Sequence, residues 1–203
     1  MNYITLGYDC SPAATLRNLN LREFALPFDW VVSNVYSLEK CFEENFARFH
    51  TNLKYNYSKT RLIDSYGFEF PHDYPLANTV ADINRIGEGN IVECPGKQIC
   101  TNYMYYYDFV LEKYKRRIDR FLNIMNDEKP IIVLCRYSTV QVLKLQEIIL
   151  RIYKKENVYF VNSSLEAFEN DKIINVFTEK NNVWNEASLW ESAIERMKEK
   201  IMK

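Results

Sequence analysis

The chain's 203 residues can enclose one substantial core, and with 47% hydrophobic and 26% charged residues the composition is that of a folded domain, not a disordered one. With 26 basic against 27 acidic side chains the net charge is −1, which supplies no field for holding nucleic acid or an anionic membrane, and no run approaches the ~20 apolar residues of a membrane span. The opening stretch, MNYITLGYDCSP, lacks the basic and apolar regions of a secretory signal, so the expected location is the cytoplasm of a cell or host cell.

Taken in chain order, Tyr3 to Leu6 reads as a short strand ended by Gly7. Ser11 followed by Pro12 predicts a helix start, a hydroxyl cap and then a residue whose fixed φ suits the first turn. Pro27 removes Leu26 to Trp30 from any central strand and makes it a loop packing two aromatics. Ser37 is expected to cap a helix carrying Leu38, Cys41, Phe42 and Phe46. Residues 49–100 show weak periodicity, with short strands predicted at Arg61 to Ile63 and Phe68 to Phe70; this loop-rich middle region is where an insertion would sit. Gly87 to Gly89 lacks the surroundings of a dinucleotide fingerprint and reads as a turn.

The second half has stronger periods. Tyr103 to Met125 predicts a long helix, with Ile118, Phe121, Leu122 and Met125 on one stripe. Ile131 to Cys135 is wholly apolar, the pattern of a strand buried on both faces. Ser138 with Gln141 makes a capping box for a helix carrying Leu145, Ile148, Ile149 and Ile152. Strands follow at Val158 to Val161 and Ile173 to Phe177, and a second capping box, Ser188 with Glu191, opens a last helix lined by Trp190, Ile194, Met197 and Ile201. Trp184 and Trp190 need no role beyond packing that helix on the sheet. Alternating apolar strands and helices imply one three-layer α/β domain over residues 1–203, its mostly parallel sheet covered by helices on both faces.

In such a sheet, ligands bind beyond the carboxyl ends of the strands. That rule selects Gly7 to Ser11, Arg136 to Ser138 and Asn162 to Ser164. Cys10, just before the first helix, would lie near unpaired N–H groups and a positive dipole end, which favour thiolate and can hold an oxyanion. The alternative is a small buried core residue, the reading that also fits Cys41 and Cys135. The five cysteines have no regular spacing; with only two histidines, free thiols and no metal site are expected, Cys94 and Cys100 included, and no cofactor is called for. His50 ends an aromatic helix and reads as a surface or capping residue, whereas His72 stands between Pro71 and Pro75 in a stiff loop suited to presenting a base. Arg17 and Arg136 are candidate clamps for a carboxylate or phosphate, with Ser11 and Asn162 as further substrate contacts. The basic run Lys113, Lys115, Arg116, Arg117 and Arg120 reads as a solvated helix face.

Several blocks resemble one family. Leu6 to Cys10, Ala14 to Arg17, Leu21-Arg22, Pro27 to Trp30 with Ser33, Pro71 to Asp73 and Lys113 to Ile118 are similar, in order, to the blocks of the DUF1796 family, described as papain-like cysteine peptidases. The resemblance implies Cys10 as nucleophile and His72 as base. The orienting group stays open among Asp73, Asp29, Asp108 and Asn162, with the first two ahead. A papain-type histidine lies on an antiparallel sheet, while the strongest strands here read as parallel and follow His72; a nucleophile at a parallel-sheet edge, as in esterase-like hydrolases, is the competing geometry. The expected function is a thiol hydrolase of peptidase type, or an acyltransferase, acting on a peptide, acyl or glycan substrate. The alternative is a non-catalytic binding module, or a glycan or nucleotide-sugar transferase, holding an anion at the same edge. Oligomeric state is not readable.

Overall fold

A computed structural model of the protein describes residues 1–76, 96–177 and 187–203. Cys94, the Gly87 to Gly89 turn and Trp184 lie outside them. In chain order the elements begin with β1 (Asn2–Thr5), α1 (Ser11–Asn18) and α2 (Val35–Glu43). Three short strands follow, β2 (Lys54–Tyr55), β3 (Leu62–Ile63) and β4 (Glu69–Phe70). After a 3-10 turn (Tyr103–Tyr106) come α3 (Tyr107–Asn126), β5 (Ile131–Cys135), α4 (Thr139–Tyr153), β6 (Val158–Ser164), β7 (Ile173–Phe177) and α5 (Ala187–Met202).

The apolar run at β5 is buried on both faces because it lies inside a parallel sheet of order β1-β5-β6-β7. Its side chains alternate. Ile131, Val133 and Cys135 join a cluster with Phe42 of α2, Phe121 of α3 and Leu145, Ile148 and Ile149 of α4. Ile132 and Leu134 face the opposite cluster, with Leu16 of α1 and Trp190, Ile194 and Met197 of α5. Each face is thus closed by helices, giving the three-layer α/β arrangement expected. The middle region adds a second, antiparallel sheet of order β2-β3-β4, whose Leu62 and Phe70, with the neighbouring Phe68, enter the first cluster.

Several local expectations are revised. Cys10, not Ser11, is the N-cap residue of α1, and Ser11 and Pro12 are already helical. Asn34 caps α2 by accepting from the Ser37 N–H at 2.9 Å, while the Ser37 hydroxyl donates to the Tyr66 carbonyl at 2.7 Å; Phe46 falls beyond that helix. The first turn of the long helix is 3-10, so α3 proper begins at Tyr107. Ser188 is inside α5 as described from Ala187. The capping box of Ser138 and Gln141 is present. No described helix is long and apolar enough to cross a membrane.

One clasp joins the two sheets. Val32 pairs with Glu69 of β4 through both backbone bonds, each 3.0 Å. The next residue, Ser33, donates its N–H to the Tyr8 carbonyl at 3.3 Å and its hydroxyl to the Leu6 carbonyl at 3.3 Å. Strand β4 is therefore fastened to Val32 and the turn after β1 to its neighbour Ser33.

Candidate active site

The turn from β1 into α1 depends on Gly7, whose φ is +74°. A Cβ there would collide with Ser33 Oγ, so only glycine permits both the left-handed backbone and the clasp. The Tyr137 hydroxyl completes this corner: it donates to the Leu6 carbonyl (2.9 Å), contacts Ser33 Oγ (2.9 Å) and accepts the Tyr8 N–H (3.3 Å). Asp9 then accepts the Ser11 N–H (2.9 Å) and hydroxyl (2.7 Å) on Oδ1, an Asx turn that fixes the start of α1. Its other oxygen is ion-paired with Arg136.

Cys10 is held between these contacts and is only 6% exposed. Its Sγ lies 3.3 Å from His72 Nε2. His72 is exposed, standing in the loop that leaves β4, and its ring meets the Trp30 ring edge-on with centroids 6.0 Å apart. The geometry thus combines the two arrangements that the sequence sets against each other. The cysteine is at the carboxyl edge of a parallel sheet, and the histidine follows a strand of an antiparallel one.

The thiol's electrostatics differ from expectation. Burial first, and then the Asp9 charge, push Cys10 up to about 12, with Asp73 acting in the same direction and Arg61 opposing. The dipole of an eight-residue helix is outweighed, and the resting group is a neutral thiol. The expected oxyanion donors are also reduced, since the Ser11 N–H is committed to Asp9 and Pro12 has none. The Cys10 N–H remains, without a hydrogen-bond partner among the described residues.

The two favoured orienting carboxylates have other partners. Asp73 is turned onto α3, ion-paired with Lys113 through Oδ1 and accepting the Tyr114 hydroxyl at 2.7 Å through Oδ2. It anchors the backbone next to His72. Asp29 is 1% exposed and accepts from Thr5 Oγ1 (2.8 Å), the Leu26 N–H (2.9 Å) and Arg22 (3.5 Å). It ties the aromatic loop to β1. Asn162 is wholly buried, bonded both ways to the Tyr137 backbone at 2.8 Å and to Asn175 at 3.0 Å, and so serves as a brace between β6 and its neighbours. Arg136 spends its charge on Asp9, Ser11 is buried beside that pair, and Arg17 is exposed, its guanidinium 5.5 Å from the centre of the Trp30 ring.

His50 is not a surface residue. It is 0% exposed, bonds Tyr74 Oη through Nε2 at 2.7 Å, and stacks on the Tyr74 and Tyr107 rings. Burial lowers it to about 4, so it is neutral. Asp73 and Tyr74, the two residues after His72, are therefore both anchored in the interior. Asp9 is the site residue that the sequence reading missed; its position two before Ser11 is the Asx-turn signal that would have found it. Beside the Asp9–Arg136 pair opens a cavity of about 300 Å³ lined by Tyr8, Ser138, Gln141, Ser163, Ser164 and Glu166 among others. Among the described residues no group of acids, cysteines and histidines could hold a metal ion.

Fold and site together define an α/β protein with a buried thiol and an imidazole in contact at a sheet edge. The chain belongs to the family described as "Putative papain-like cysteine peptidase (DUF1796)", whose model matches residues 1–169. It is also similar to "Uncharacterized protein R408" of Acanthamoeba polyphaga mimivirus, 28% identical over 137 residues that make up 64% of this chain. The match spans 59% of that relative's length. No solved structure matches.

Proposed function

We propose that the protein is a thiol-dependent acyl-transfer enzyme, a hydrolase of peptidase type, with Cys10 as nucleophile and His72 as its base. The observation that carries the reading is the 3.3 Å separation of Cys10 Sγ and His72 Nε2, brought about by two different sheets. Family membership supports the peptidase class.

In this mechanism the neutral thiol gives its proton to His72 Nε2 as sulfur attacks the substrate carbonyl. The Cys10 N–H is placed to stabilise the resulting oxyanion. Collapse breaks the bond to the amine or alcohol, which leaves with the proton from His72, and a thioester remains on Cys10. Water then attacks, again passing a proton to His72; the acid departs and the thiol is restored. An acceptor other than water in the second half makes the same site an acyltransferase. The anion-binding alternative loses its main cation, since Asp9 already neutralises Arg136.

The test is the rate of iodoacetamide alkylation at Cys10, followed by mass spectrometry at pH 7. Loss of a general base slows proton removal by about 10²-fold, so His72→Ala should react that much more slowly than wild type. Equal rates in the two proteins would refute the assignment.

A further inference from the structure

The charges around the reactive pair are almost all matched. Asp9 holds Arg136, Asp73 holds Lys113, Glu69 holds Arg61 at 2.8 Å, and Asp29 holds Arg22 at 3.5 Å. Arg17 is exposed and among the described residues has no carboxylate partner. It is nonetheless placed, because its guanidinium lies over the Trp30 ring, and the same ring meets His72 edge-on at 6.0 Å. This cation–π contact keeps the guanidinium beside the base, and its N–H groups, with no partner among the described residues, are available to a carboxylate.

The helix sets the distance. Arg17 follows Cys10 by two turns of α1, which returns it to the same side of the helix about 10 Å further on. An extended substrate covers that span in about three residues. A cation in the last turn of α1 also complements the helix dipole, but that role needs no aromatic platform beside the base.

We infer that Arg17, held over Trp30, is the specificity-determining residue of the Cys10–His72 site and selects acyl substrates carrying a carboxylate about two to three residues from the attacked carbonyl. The inference rests on the thiol reading above and names its substrate class as acidic.

A matched pair of alkylating agents tests it without a known substrate. Iodoacetate and iodoacetamide deliver similar electrophilic carbons to Cys10, one with a negative charge and one without. A single cation roughly 10 Å away in a partly solvated site changes the encounter with the anion by about two- to four-fold. The iodoacetate-to-iodoacetamide rate ratio at Cys10 should therefore fall by about that factor in Arg17→Met and recover in Arg17→Lys. Raising the salt concentration should lower the wild-type ratio and leave that of Arg17→Met nearly flat. Circular dichroism and a thermal melt of each variant establish that the fold is kept.

The outcomes separate the two claims. A ratio in Arg17→Met equal to that of wild type overturns the acidic-substrate inference while the thiol reading stands. Iodoacetamide alkylation that is as fast in His72→Ala as in wild type overturns the thiol reading itself.

Discussion

Replacing Lys113 by methionine removes the charge that fixes the residue next to His72. The Asp73 side chain is 4% exposed and that of Lys113 19%, so the pair is largely desolvated. Breaking one side of a fully buried pair costs about 3–5 kcal/mol, because the remaining charge is stranded. Here the Tyr114 hydroxyl still donates to Asp73 at 2.7 Å and Lys113 keeps some water contact, which brings the expected loss to about 2–3 kcal/mol. In a chain of this length that is a fall in Tm of about 5–10 °C. Asp73→Asn combined with Lys113→Met removes the stranded charge, and an amide oxygen still accepts from Tyr114. The double variant should regain at least half of the loss. Urea unfolding of all four members of the cycle measures the coupling, and the iodoacetamide rate at Cys10 reports whether His72 has shifted. A Lys113→Met cost below about 0.5 kcal/mol, or purely additive effects, would refute the claim that this pair anchors the His72 loop.

Gly7→Ala should cost about 3 kcal/mol, from a left-handed backbone of +74° and a methyl driven into Ser33; Gly7→Ala with Ser33→Ala should recover only the steric part, read by urea unfolding. His50 should titrate near pH 4 by NMR, and a value at 6.5 would contradict its burial. Because its folded value is depressed, its contribution of about 3 kcal/mol is complete above about pH 6.5 and is lost as pH falls through about 4. Asp64, which accepts the His50 backbone N–H and is raised by burial to about 6, acts with the opposite sign: its contribution is complete below about pH 4 and lost as pH rises through about 6.

The elements most legible in the sequence are those whose pattern is complete within the element. Ile131 to Cys135 and Ile173 to Phe177 match their strands residue for residue, and Ser138 with Gln141 marks its helix start by local hydrogen bonding alone. The two-residue strands β2, β3 and β4 are too short to show a period, although Leu62-Ile63 and Glu69-Phe70 fall within predicted segments. The helix starts lie one to three residues before the hydroxyls that the sequence offers: Asn34 caps α2, and Cys10 takes the N-cap position of α1 without a side-chain cap bond. The burial of His50 is not legible in the sequence, because the rings that enclose it, Tyr74, Tyr107 and Tyr114, come from distant segments. Cys10 and His72 were readable as a pair from the helix start, the proline-bound loop and the family blocks. The partners of Asp73, Asp29 and Arg136 were not, since each pairing is made only when separate elements meet.

The neutral resting state of Cys10 has a consequence for the protein's lifetime under oxidative stress. Peroxide attacks thiolate, and a thiol that burial and the Asp9 charge raise to about 12 is far less ionised at pH 7 than an ordinary cysteine. A cysteine that is 6% exposed and held as the thiol is therefore a poor target for sulfenic acid formation. Slow oxidation by peroxide is thus the expected consequence of the same burial that keeps the free thiol protonated.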